Sequence, residues 1–190
     1  MIKSCTRLAR SFLKTISHFI SDKQAIAAVE FALILPIMLF AYIGTAEVSR
    51  LIIMDRRLAV VAGSVGDLVA RANGSLQNKV LQDYFAAAEF TMAPYPSATL
   101  KQVVTGVFVD KKGKAKVYWS KGYNGGSTYA KDSYVPLPPE MSEQSKNKFL
   151  IIGEATTQWQ PIVDFIFQSG FTLEKTYYYR PRFDAQININ

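Results

Sequence analysis

The sequence predicts an α+β fold: a long N-terminal membrane-spanning helix continuing into a domain with a short second helix and a small antiparallel sheet. Three observations carry this. Residues 25–46, AIAAVEFALILPIMLFAYIGTA, are apolar except for Glu30 and the weakly polar Tyr42 and Thr45. Apolar residues then recur at helical spacing as far as Leu68. Beyond residue 99, β-branched and aromatic runs alternate with glycine, proline and charged turns.

Composition narrows the classes. With 190 residues the chain holds one ordinary domain plus an accessory segment. Apolar residues are 49% and charged residues 19%, which excludes a disordered chain. One cysteine excludes an internal disulfide framework, and one histidine excludes a multi-histidine metal site. The formal charge of +7 is concentrated at the start, where Lys3, Arg7, Arg10, Lys14 and Lys23 face only Asp22.

Residues 1–25 therefore read as a basic leader, and Cys5 and His18 both lie in it. Residues 26–46 read as the membrane span, since about 20 apolar helical residues cross a hydrocarbon core. Basic residues before the span predict a cytoplasmic N-terminus and an extracytoplasmic remainder. Cys5 would then stay a thiol. Three processing fates fit: a signal peptide cut after Gly44-Thr45-Ala46, an uncut signal anchor, or a cut just before the span. The third gives Glu30 a role. A charge at mid-bilayer costs about 2.5–3.5 kcal/mol. A cut between Ala25 and Ile26 creates an α-amine, and Glu30 becomes the fifth residue of the mature chain. Glu30 of one subunit could pair with a neighbour's amine and set the register of assembly. Alternatively, Glu30 lies near the membrane face and snorkels to headgroups.

Residues 47–72 continue the helix, with Leu51, Leu58, Val61, Val65 and Leu68 as an apolar stripe. A helix from Ile26 to Arg71 would be about 70 Å long. Pro36 should bend it. Gly44, Gly63 and Gly66 either admit a close partner or simply weaken the helix. Residues 73–190 form the extracytoplasmic domain. Asn73-Gly74-Ser75 reads as a helix stop and a new N-cap. Leu76, Val80, Leu81, Tyr84, Phe85 and Ala88 then share a face of the second helix. Strands are predicted at 100–109, 115–119, 149–160 and 171–179, with a charged hairpin turn at 110–114. The sheet should pack its apolar face on the helices. Residues 121–141 read as a long loop in which Tyr123, Tyr129 and Tyr134 could form a contact surface. Tyr177, Tyr178 and Tyr179 could join that surface or alternate into the sheet core.

Little in the chain points to catalysis. Lys111, Lys112, Lys114, Lys116 and Lys121 near Tyr118 and Trp119 fit a solvated hairpin tip better than a nucleic-acid surface. Nothing in the spacing of Glu154 and Asp164 demands a carboxylate pair. Serine and threonine lack a histidine partner outside the leader, and no phosphate loop occurs. The expectation is a non-enzyme with no catalytic residues, no metal, no cofactor and no nucleic-acid partner.

The segment KQAIAAVEFALILP at residues 23–36 resembles the N-terminal motif of TadE/TadG-like proteins, pilin-like components of the tight-adherence (Tad, or Flp) type IV pilus system. Glu47, Arg50 and Asp55-Arg56-Arg57 resemble that family's continuation. TLEKTY at 172–177 with Arg180-Pro181-Arg182 is similar to its closing strand and tail. The family usually has glycine before the cut, where this chain has Ala25. The short chain resembles the TadE type rather than the longer TadG type. The resemblance implies a minor pseudopilin in the bacterial inner membrane, cut at Ala25–Ile26 by prepilin peptidase. Its partners would be other pilins or pseudopilins and the Tad secretion machinery. Assembly would rest on Glu30, Phe31 and Pro36, and the outcome would be pilus biogenesis and surface adhesion at the pilus base or cell surface. An uncleaved signal-anchored adhesion module is the alternative. A secreted enzyme with an atypical signal peptide is a weaker rival.

Overall fold

The computed structural model describes residues 23–162 and 169–190. The leader as far as Asp22, with Cys5 and His18, lies outside the described residues, and so does Asp164. The chain divides into two compact units, Met1–Val48 and Ser49–Asn190.

Helix α1 spans Lys23–Ala70, close to the expected 26–71, and runs through Pro36 without a break. Proline removes one backbone donor and crowds the carbonyl four residues earlier, here that of Ala32. In the first unit α1 is apolar on all sides: Leu33, Ile37 and Tyr42 are among its most exposed side chains. Such a helix suits lipid rather than water.

In the second unit the same helix becomes one-sided. Met54, Leu58, Val61, Ala62, Val65, Val69 and Ala70 are buried in the core. The stripe differs from the expected one at its end, where Val69 is buried and Leu68 is only half-buried. At 100° per residue, position 69 returns to the face of 58, 62 and 65 better than 68 does.

Gly74 adopts a φ of 74°, a conformation without steric cost only for glycine, and the chain turns there as expected. The next residues differ from expectation. Ser75 is not an N-cap: Ser75–Leu76 is a short strand, β1, and α2 spans Asn78–Phe90 behind Gln77. β1 pairs in parallel with β7, Asn188–Ile189. Asn190 also accepts a hydrogen bond from the amide of Asn78 at 2.7 Å. A two-residue parallel pairing across more than a hundred positions leaves no periodicity to read. Helix α2 buries Leu81, Phe85 and Ala88, one face at i, i+4 and i+7.

The main sheet contains β2 Lys101–Val109, β3 Ala115–Tyr123, β4 Tyr134–Val135, β5 Phe149–Trp159 and β6 Phe171–Tyr179. Its order is β4-β3-β2-β5-β6, antiparallel throughout. All four expected strands are present, joined by the short β4. In β5 the faces alternate cleanly. Phe149, Ile151, Ala155 and Trp159 join the core with α1 and α2. Leu150 and Ile152 join a second cluster on the other face with Val107, Val109, Ala115, Val117 and Val135. The sheet is thus a middle layer with an apolar core on both faces.

The second core is covered by the stretch expected to be a loop. β3 runs on to Tyr123, β4 follows, and α3 spans Pro139–Gln144. Tyr129 and Leu137 from this stretch pack on the second cluster. A glycine- and tyrosine-rich sequence here serves to roof a sheet.

Candidate functional site

The span and its start form the first candidate site. Ala25 and Ile26 lie in the first turn of α1. Ile26 is half-exposed and Glu30 is exposed. Four residues apart on a helix, they share one face about 6 Å apart along the axis. Phe31 is 60% exposed on the adjoining face. Among the described residues no ion pair includes Glu30. Thr45 donates from its hydroxyl to the Ala41 carbonyl at 2.8 Å, which satisfies a polar group inside the apolar run. The run from Ile26 has a mean hydropathy of 2.3, and its helix is long and apolar enough to cross a membrane. Chemically, it offers an apolar surface with one carboxylate.

Gly63 and Gly66 find their close neighbour within the chain. A Cβ on Gly66 would meet the Tyr179 ring at 2.7 Å, and a Cβ on Gly153 would meet the Ala62 carbonyl at 2.5 Å. These glycines let α1 and β5 touch backbone to backbone.

The three tyrosines expected at a contact surface separate. Tyr123 closes β3, stacks on Phe85 at 5.5 Å between centroids, and donates to Glu89 Oε2 at 2.9 Å. Tyr129 donates to Glu154 Oε1 at 2.9 Å. Burial and the Glu154 charge push the Tyr129 hydroxyl up to about 12. Tyr134 is 63% exposed, with Lys114 Nζ 5.8 Å from its ring centroid. The Tyr177–Tyr179 triplet does alternate: Tyr178 packs on the second core, Tyr179 packs on the first, and Tyr177 is exposed.

Two polar arrangements were not foreseen. Glu154 sits beside Tyr129, Glu174 and Lys101 in a cleft of about 250 Å³. Burial raises its pKa, the nearby Glu174 adds to this, and the Tyr129 hydrogen bond opposes it. In the other, Asp67 accepts from Arg71 and from Arg182, which hold its carboxyl below the usual range against a partly opposing desolvation. Arg182 also donates its amide to the Ala70 carbonyl at 2.9 Å. The Arg180-Pro181-Arg182 tail therefore ties the C-terminal segment to the end of α1. The lysine-rich turn is organised locally, with Asp110 Oδ1 accepting from the amides of Lys112 at 2.7 Å and Lys114 at 2.9 Å.

Comparison with curated proteins and with solved structures finds no match. A family model, TadE-like protein, matches residues 25–64. The match begins at the expected cut and covers the span, Glu30, Phe31, Pro36 and the first turns of the core stripe. It ends before β1, so the C-terminal tail lies outside it. The N-terminal resemblance is thus supported independently of the fold: residues 25–64 of this chain are similar to the TadE-like family.

Proposed function

We propose that the protein is a TadE-type minor pseudopilin that supports biogenesis of a Tad-type pilus, and through it surface adhesion. The observation that carries this is the TadE-like match, which covers the exposed apolar run at 26–46, whose one carboxylate is Glu30. A helix of this kind needs either lipid or other apolar helices around it. A pilus assembly pathway supplies both in turn.

In this reading the chain carries out no reaction of its own. Prepilin peptidase cuts between Ala25 and Ile26, the basic leader stays in the cytoplasm, and the Ser49–Asn190 unit lies outside the inner membrane. Phe31 and Pro36 shape the packing surface of the apolar helix. Glu30 meets the α-amine of a neighbouring pilin or pseudopilin, where two charges neutralise each other out of water. The partners are the peptidase, other pilins and the Tad secretion machinery. The uncleaved anchored module is favoured by one feature, alanine in place of the usual glycine at position 25.

The deciding experiment is the mass and N-terminal sequence of the chain recovered from membranes, with and without prepilin peptidase. A start at Ile26 that disappears without the peptidase is expected. A start at Met1 in both backgrounds would leave an anchored module outside the pilin pathway.

A further inference from the structure

Within the Ser49–Asn190 unit, the last turn of α2 carries an acid where a helix favours a base. Glu89 lies one residue before the helix ends at Phe90, and no basic residue shares that turn. The C-terminal end of a helix is the negative end of its dipole, so a cation is stabilising there and a carboxylate is not. Among the described residues no ion pair includes Glu89. Its Oε2 accepts from the Tyr123 hydroxyl at 2.9 Å, and this bond holds that hydroxyl above its ordinary pKa.

Glu89 lines an open cleft of about 300 Å³ together with three aromatic residues, Phe90, Tyr95 and Tyr123. Phe90 is 81% exposed and Tyr95 is half-buried. The Tyr123 ring is fixed by stacking on Phe85 at 5.5 Å between centroids. The same helix end already draws one cation from within the chain. Arg57 donates to the Thr91 carbonyl at 2.8 Å, and its guanidinium lies 6.0 Å from the Tyr95 ring centroid. Arg57 does not line the cleft, and Glu89 is the charged residue that does.

We propose that this cleft binds an alkylammonium group, with Glu89 countering its charge and Phe90, Tyr95 and Tyr123 supplying apolar and π contact. The chemistry of the lining selects this class. An anion would meet the Glu89 carboxylate and the negative helix end. A neutral apolar group would leave that carboxylate without a countercharge. A bare metal ion needs several oxygen ligands, and here one carboxylate stands among aromatic rings. An ammonium bearing carbon atoms suits both halves of the cleft, because ring faces attract cations and ring surfaces cover methylenes and methyls. Two sources carry this chemistry, a free quaternary ammonium compound and the lysine side chain of another protein chain. The proposal concerns the Ser49–Asn190 unit alone and stands apart from processing and from the apolar run.

The test uses the full-length chain in neutral detergent micelles, with isotope-labelled alanine methyl groups followed by NMR. The probes are choline, Nα-acetyl-lysine amide, and the uncharged alcohol in which carbon replaces the choline nitrogen, all at one ionic strength set with sodium chloride. Ala86 and Ala93 line the cleft and report binding. Ala130, next to Tyr129 on the other face of the sheet, is the control. Choline should shift the Ala86 and Ala93 signals to saturation and leave Ala130 in place, and the alcohol should bind about threefold more weakly or worse. Glu89→Gln keeps an acceptor for Tyr123 and should weaken choline by about threefold or more while leaving the alcohol unchanged. Phe90→Ala, at an exposed position, should weaken both. Tighter binding of the lysine amide than of choline would assign the cleft to a lysine side chain, and the reverse order to a free quaternary ammonium. Equal binding of choline and the alcohol, choline binding that ignores Glu89→Gln, or no saturable shift with any probe would each overturn the proposal.

Discussion

Glu154 shows what one residue does in a roofed sheet. Its carboxylate is partly buried, and Tyr129, Glu174 and Lys101 border the same cleft. Burial raises its pKa, so the folded chain holds this proton more tightly than the unfolded one. The sign follows by linkage: stability is greatest below the ordinary glutamate pKa and falls as pH rises through the raised value. Glu154→Gln should remove this component and flatten the fall in thermal stability as pH rises from the ordinary glutamate range. Tyr129→Phe deletes a hydrogen bond that favours the charged form. It should raise the Glu154 titration midpoint further, as followed by carboxyl-carbon NMR. An unchanged or lowered midpoint would show that the bond does not hold in solution.

Among the elements, the contact of α1 with β5 and the bulge in β3 shape the domain. Gly153 and Gly66 bring the helix and strand backbones together, and a methyl on Gly153 would meet the fixed Ala62 carbonyl at 2.5 Å. Backbone cannot swing aside as a side chain can. Gly153→Ala should therefore cost about 1–3 kcal/mol and lower the unfolding midpoint in detergent. A neutral effect would mean that helix and strand are not in contact. In β3, Val117 pairs with Val107 but Trp119 pairs with Gly106, so Tyr118 is an extra residue. Ala115 and Val117 face the second core, whereas Trp119 and Tyr123 face the first. That switch of face lets the Trp119 indole donate to the Ile187 carbonyl at 2.7 Å.

For the whole molecule, the issue is what Glu30, the lone carboxylate of the apolar run at 26–46, is for. In the proposed pseudopilin, Glu30→Ala leaves the peptidase its cleavage site but takes away the partner of a neighbour's α-amine. An unpaired charge is costly out of water, so the variant should be cut normally yet assemble poorly. The readouts are mature mass and the number of pili per cell. Normal piliation would assign Glu30 to the membrane face instead.

The order of elements was legible in the sequence because each long element carries its own periodicity. The apolar run, the core stripe of α1, the α2 face and four strands all came within a few residues of their observed limits. The N-terminal motif was legible as well, since it is a contiguous string, and the TadE-like match at 25–64 covers it. The three tyrosines show where this stops. Their composition suggested a contact surface, and only the fold turned Tyr123 onto Phe85 and Tyr129 onto Glu154 while leaving Tyr134 open. The glycines of α1 behave likewise: their spacing admits a close partner, and the identity of that partner, Gly153 and Tyr179, is a long-range fact. The sequence by itself determined the long helices and strands and which segment suits a membrane, because those follow from local propensity and from burial repeating at a fixed period, whereas the short β1, β4, α3 and β7 carry no such period. The tertiary structure alone decided the β1–β7 pairing, the roof over the second core and the Asp67–Arg182 tie. Each joins residues far apart in the chain, whose partners are selected by packing rather than by any local pattern.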